Sequence, residues 1–212
     1  MTDRQVFSPI ALHTQALACG RGGMTLCSNL NISVAGGQCL LLRGPNGTGK
    51  TTLLLTLAGV VAPMAGTMSF ASAADSEVGP ILHHCGHRNA IKARLTVLEN
   101  LRYWAAVNGS SGRPAEQALD EVGLGRLAEL DAGYLSAGQS RRLALARLLV
   151  SERPIWLMDE PTAALDVEGH QLVSRLLDAH LDMGGLAIVA THDRITLSDP
   201  ARLLALDLGE HA

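Results

Sequence analysis

At 212 residues the chain is long enough for one domain with a sizeable core, or one core carrying a large insertion. A net charge of −3 with only 3% aromatic residues excludes the basic footprint and stacking platform of a nucleic-acid binder. No stretch approaches the roughly 18–20 uninterrupted apolar residues of a membrane span, and the N-terminus is broken by Arg4, Pro9, His13 and Gln15 where a signal peptide has an apolar run, so a cytoplasmic protein is expected.

Residues 10–43 hold short apolar stretches separated by the turn signals CGRGG (19–23) and AGG (35–37), a pattern that predicts strands. The cysteines at 19, 27, 39 and 85 lack CxxC spacing and are expected as buried, reduced thiols. CLLLR (39–43) reads as a buried strand running straight into GPNGTGKT (44–51), which satisfies G-x-x-x-x-G-K-[ST]. Its glycines let the backbone wrap tightly enough to aim N–H groups at phosphate oxygens, and the following helix, TTLLLTLAG (51–59), adds the positive end of its dipole. Gly44, Pro45, Asn46, Gly47, Thr48, Gly49, Lys50, Thr51 and Thr52 are therefore the expected ATP-phosphate site. Lys50 would reach the β- and γ-phosphates, and the Thr51 hydroxyl would bind Mg²⁺.

HHCGHRN (83–89) crowds His83, His84, Cys85 and His87 into five positions, ligand types suited to zinc, copper or haem iron. Helices are predicted over 96–107, where Val97, Leu98, Leu101, Trp104 and Ala105 recur at three- and four-residue spacing, over 114–130, and over 137–150. The segment 88–150 has no convincing strand and reads as a helical insertion. IWLMD (155–159) and LAIVAT (186–191) are short apolar runs of strand length, and strands separated by helices imply a parallel α/β sheet. Asp159 ends the first of these runs and Glu160 follows it. At the end of a strand beside a phosphate loop, Asp159 would hold Mg²⁺ through water and Glu160 would be the general base for the attacking water.

LSAGQSRR (135–142) resembles the signature of ABC-type ATPases, usually LSGGQ, with Ala137 in place of one glycine. DEPTAALD (159–166) looks like the metal strand running into the D-loop and ending on Asp166, and THD (191–193) supplies a switch histidine, His192. The resemblance implies a P-loop NTPase fold: a RecA-like parallel sheet core, an antiparallel β region and a helical insertion subdomain. It also implies a single ABC ATPase domain, with its core about 1–87 and 151–212 and its helical subdomain about 88–150. In such a domain Leu135, Ser136, Ala137, Gly138 and Gln139 bind the γ-phosphate of ATP held by the opposite subunit. Hydroxyl, backbone N–H and helix dipole suit that task. Two chains then sandwich two nucleotides, and His192 stabilises charge as water attacks in line. Members of the family stack adenine on an aromatic ring ahead of the phosphate loop, but residues 16–26 contain none. Arg21 stands near that position, either stacking on the base or as a solvated loop arginine.

A chain this short looks like the separate motor subunit of a transporter; soluble ABC ATPases of DNA repair or translation usually carry coiled coils or two ATPase units. GHRNAIKARLTVLENLRYW (86–104) closely resembles the ATP-binding subunit of the cytochrome c maturation complex, the haem exporter (CcmA) family. LSAGQ before paired arginines and the arginine near the adenine position match as well, so that the resemblance covers about 10–205. It implies a peripheral ATPase on the cytoplasmic side of the inner membrane, acting as an ATP-dependent dimer docked on integral membrane permease subunits. Its ATP- and Mg²⁺-dependent hydrolysis would drive release of a haem-loaded chaperone. Motor subunits of lipid, drug or lipoprotein exporters are the alternative. The family's Q-loop falls at HHCGHRN, yet no glutamine is present: His87 or Arg88 takes the position, and the resemblance favours Arg88. If ILHHC is a strand, as the family requires, alternation sends His83 and Cys85 to one face and His84 to the other. The cluster then reads as a strand leading into a coupling loop rather than a metal or haem site.

Overall fold

The computed structural model describes residues 7–72 and 81–211, which group into two compact units. One contains Met1–Gly86, Pro154–Glu160 and Ser174–Ala212; the other contains His87–Arg153 and Pro161–Val173.

The first unit is built on strands that read as continuous apolar runs. β4 (Cys39–Arg43), β7 (Ile155–Asp159) and β8 (Leu186–Ala190) are buried almost throughout, as expected where both faces of a parallel sheet are covered. With β6 (Leu82–Cys85) and β9 (Leu203–Asp207) they form a five-stranded, all-parallel sheet in the order β6-β7-β8-β4-β9. This order brings the carboxyl ends of β7, β8 and β4 side by side, where ligands bind in open α/β sheets. A second, antiparallel sheet pairs β1 (Ile10–Arg21) with β2 (Met24–Leu30), β3 (Ser33–Ala35) and β5 (Ala65–Ser72). The β1–β2 hairpin turns on Gly22 and Gly23, with φ of 60° and 80°, the twin positive values of a two-residue hairpin loop. Helix α1 (Lys50–Leu57) buries Leu53, Leu54 and Leu57 in a core shared with Leu12, Leu17 and Leu30 of the antiparallel sheet and Leu42, Leu157 and Ile188 of the parallel one. Each such side chain contributes about 1.5–3 kcal/mol on burial. All four cysteines are free and buried, and Cys19 faces Cys27 across β1 and β2.

In the second unit the helices are α2 (Val97–Asn108), α3 (Ala115–Glu121) and α4 (Ala137–Val150). α2 opens on a complete capping box: Thr96 Oγ1 accepts from Glu99 N at 3.1 Å, and Glu99 Oε2 accepts from Thr96 N at 2.8 Å. Thr96→Ala should cost about 1 kcal/mol, seen as a melting point lower by roughly 2–4 °C; an unchanged thermal transition would show the cap to be redundant. The helix expected over 114–130 is instead α3, which stops at Glu121. Gly123 has φ 75° and the chain resumes as a short 3₁₀ turn, Gly125–Leu127, so a left-handed glycine ends the helix despite the apolar residues beyond it. α5 (Val167–Asp182) begins in this unit and finishes in the first.

β5, β9 and α5 are not among the elements read from the sequence. β5 is AGTMSFAS, too rich in small residues to show an alternating signal, and β9 is a partly exposed edge strand. α5 did carry a usable signal in the buried Leu172, Val173, Leu176, Leu177 and Leu181. β6 alternates as its sequence requires, with His83 and Cys85 buried and His84 half-buried on the other face.

Candidate active site

β4 ends on Arg43 and the chain then turns through Gly44 at φ 126°, a conformation open to glycine alone. Gly49, at φ 94°, is the N-cap of α1, and a Cβ there would stand 2.9 Å from Cβ of Leu26 in β2. Glycine is thus required twice over, by conformation and by contact. No side chain caps α1, which leaves its first-turn N–H groups to an anion. Lys50 is buried, and its Nζ donates to the carbonyls of Gly44 at 2.7 Å and Pro45 at 3.0 Å. Thr48 Oγ1 donates to the Pro45 carbonyl and tightens the loop. Thr52 lies half-buried in the first turn of α1.

Three strand ends converge on this loop. Thr51 Oγ1 donates to Asp159 Oδ2 at 2.8 Å, bringing a hydroxyl and a buried carboxylate together. Glu160 follows with φ 48°, strained for a side-chain-bearing residue, and its N–H is held by the Ala190 carbonyl at 2.8 Å. Beyond β8, the backbone N–H of His192 points at Glu160 Oε2 at 3.4 Å, and its Nε2 lies 3.6 Å from Glu160 Oε1. The same Nε2 is 2.8 Å from Asn46 Oδ1 and 3.4 Å from Lys50 Nζ. Base candidate, switch histidine and phosphate-loop lysine therefore stand within one hydrogen-bonded cluster. His84 is near enough to feel the Asp159 charge, but burial dominates and holds its imidazole below the usual range.

Two residues that hold loops in place, one in each unit, were missed at the level of sequence. Arg43 Nη1 donates to the carbonyls of Thr191 at 3.1 Å and Asp193 at 2.9 Å, clamping both sides of His192. Asn100, buried in α2, accepts from Lys92 N and donates to the carbonyls of Lys92, Leu95 and Thr96, so it orders the loop before the helix. Arg43 belongs to no motif, and only an arginine at the end of a strand hinted at it; Asn100 falls inside the 86–104 segment, but the bonds by which it orders the loop are visible only in the structure. Arg21 is exposed at the tip of the β1–β2 hairpin, whose Leu26 and Cys27 abut Gly49.

The remaining candidates lie in the second unit. Leu135 precedes α4; Ser136 Oγ accepts from Gln139 N at 3.2 Å, and Gln139 Oε1 accepts from Ser136 N at 2.9 Å. The signature serine and glutamine thus cap their own helix, leaving the Ser136 hydroxyl proton for another acceptor. Ala137 is exposed, and a Cβ on Gly138 would come within 2.8 Å of the Ala164 carbonyl. Asp166 accepts from Gly169 N at 2.8 Å and Arg142 Nη2 at 3.1 Å, and these contacts, the backbone one foremost, hold its carboxyl below the usual range. His87 and Arg88 are both exposed. The neighbour that is tied down is Asn89, bonded to Arg141 at 3.0 Å.

Residues 27–163 match the model of the ABC transporter family. The chain is 48% identical over 188 residues to the cytochrome c biogenesis ATP-binding export protein CcmA of Rhodopseudomonas palustris (strain BisB5), covering 88% of this chain and 94% of that one. It is 44% identical over 199 residues to the protein of the same name from Rhizobium johnstonii, covering 91% and 93%. Among solved structures, a putative ABC transporter ATP-binding protein from Pyrococcus furiosus superposes with a TM-score of 0.83 at 23% identity, over 95% of this chain and 99% of that one. A dimeric ATP-binding cassette in a post-hydrolysis state, bound to ADP and Pi, gives 0.75 at 23% identity, over 93% and 95%. The structural likenesses speak to the fold, a P-loop α/β core with an antiparallel sheet. The sequence identities go further: this chain is a nucleotide-binding ABC-type ATPase and belongs to the family of cytochrome c biogenesis ATP-binding export proteins.

Proposed function

We propose that the chain is the ATP-hydrolysing motor of an export complex for cytochrome c biogenesis, working as an ATP-dependent dimer docked on integral membrane permease subunits at the cytoplasmic face of the inner membrane. The membrane part is assigned to partner subunits in this reading; no helix among the described residues is long and apolar enough to cross a membrane. The observation that carries the chemistry is the 2.8 Å pairing of Thr51 with Asp159 directly before Glu160. A hydroxyl and a carboxylate are hard oxygen donors that suit Mg²⁺, which typically takes one or two protein ligands and otherwise water and phosphate oxygens. Mg²⁺ bound there would neutralise charge on the β- and γ-phosphates.

The residues divide the remaining work. The loop 44–52 cradles the phosphates, and Lys50 carries the compensating charge. Glu160 takes the proton of the attacking water as its oxygen bonds to the γ-phosphorus, while the bond to the ADP oxygen breaks. His192, steadied by Asn46 and by Arg43 through the backbone, contacts the γ-phosphate. Arg21 offers its guanidinium plane to the base. Ser136 and the backbone from Leu135 to Gln139 bind the γ-phosphate of the opposite subunit's ATP, with Asp166 at the D-loop and Arg88 beside His87 at the Q-loop position. The first unit acts as the catalytic core and the second as the helical subdomain. The cycle drives release of a haem-loaded chaperone.

Deletion in the source organism, followed by haem staining of c-type cytochromes, tests the role. The expected result is loss of holocytochromes, restored by the wild-type gene and not by a Lys50→Ala copy. Normal holocytochromes in the deletion strain would refute it.

A further inference from the structure

Among the described residues, five without a glycine backbone have positive φ: Ala16, Asn29, Ala90, Glu160 and Ala164. Such conformations persist where neighbours hold them, and they collect at functional sites. Two of the five, Ala90 and Ala164, are held beside α4, the helix that opens on the signature, and a third, Glu160, immediately precedes a residue that is. The Ala90 carbonyl accepts from Arg147 Nη2 at 2.7 Å. The Ala164 carbonyl approaches so closely that a Cβ on Gly138 would be only 2.8 Å away. Glu160 is anchored on its amino side by Ala190, and the next residue, Pro161, gives its carbonyl to Arg141 Nε at 3.1 Å.

Arg141 makes a second directed contact: its Nη1 donates to Asn89 Oδ1 at 3.0 Å, one residue after Arg88. The side chain is 2% exposed. Burying a guanidinium is unfavourable unless its N–H groups are satisfied, and packing alone would be served by leucine or methionine. What the guanidinium adds is a rigid planar fork that fixes two acceptors relative to each other, which a lysine's single ammonium does not do. The signature residues cap α4 one turn earlier and do not need Arg141 for that purpose.

We propose that Arg141 is a positioning residue for ATP hydrolysis: its guanidinium fixes the carbonyl that follows the strained Glu160 and locks that turn to Asn89. The proposal rests on Glu160 being the general base. A general base displaced by about an ångström forfeits up to roughly 100-fold in rate while substrate binding is untouched, so the effect falls on kcat and not on KM.

The test uses the full chain and its Arg141→Met, Arg141→Lys, Asn89→Ala and Glu160→Gln variants. Binding of a fluorescent ATP analogue counts competent sites, and phosphate release gives kcat per site and KM. We expect kcat per site to fall roughly 100-fold in Arg141→Met, with KM and analogue affinity within about 2-fold. Arg141→Lys should restore little of it, and Asn89→Ala, which spares the guanidinium and its Pro161 bond, should lose on the order of 10-fold. Should Arg141→Met fail to fold, Asn89→Ala carries the result by itself. Wild-type kcat per site in Asn89→Ala and Arg141→Lys, with only the fraction of competent sites reduced, would assign Arg141 a purely structural role and overturn the proposal, even with Glu160→Gln inactive. Full activity in Glu160→Gln would instead overturn the base assignment, and the proposal with it.

Discussion

Glu160→Gln should bind ATP with near-native affinity yet turn over roughly 10²–10⁴-fold more slowly, the range for losing a general base. Glutamine keeps the size of the side chain and an amide oxygen for the His192 N–H now 3.4 Å from Glu160 Oε2. It cannot take a proton from water. The backbone is already committed, since the φ of 48° and the bond to Ala190 do not depend on the carboxylate. The variant should therefore stop the cycle after ATP is bound, and the ATP-bound dimer should accumulate. Light scattering on a sizing column reads this directly: a shift to twice the monomer mass with ATP and not with ADP. A strictly monomeric ATP-bound form would remove the sandwich mechanism, and with it the role given to Ser136 and its neighbours.

Lys50→Ala should fail earlier in the cycle. The ammonium is buried and held by two loop carbonyls at 3.0 Å or less, 3.4 Å from His192 Nε2, so its position is set before any phosphate arrives. Preorganised charge of this kind requires no reorganisation during reaction, and removing one such donor commonly lowers kcat by 10²–10³-fold. On the proposed role Lys50 would face phosphates in both ground and transition states, so KM should rise as well. The contrast between the two variants is diagnostic: Glu160→Gln retains nucleotide and Lys50→Ala does not. An ATP affinity unchanged in Lys50→Ala would place its role in the chemical step alone.

Much of this site was legible in the sequence because its parts are contiguous. A phosphate loop is nine neighbouring residues whose backbone does the binding, and glycines at 44, 47 and 49 declare a conformation that no other residue adopts easily. β4, β7 and β8 were equally plain, since a strand covered on both faces must be apolar throughout. The helix after LSAGQ was legible too, over 137–150, whereas the cap that Ser136 and Gln139 place on it appeared only in the structure. The helix over 114–130 failed for the converse reason: its periodicity continued past Gly123, and the local turn overruled it.

Everything readable along the chain is therefore local: the phosphate loop, the buried strands, the helices after GPNGTGKT and LSAGQ, and the acidic pair at the end of β7. Which strand ends meet emerges only when the chain is folded. Arg43 clamps the carbonyls of Thr191 and Asp193, and Arg141 joins Asn89 to Pro161, across separations of 148, 150, 52 and 20 residues. No propensity or period encodes such pairs. They exist because the strand order β7-β8-β4 sets three chain ends abreast, and because a buried guanidinium must find its acceptors wherever the fold has put them.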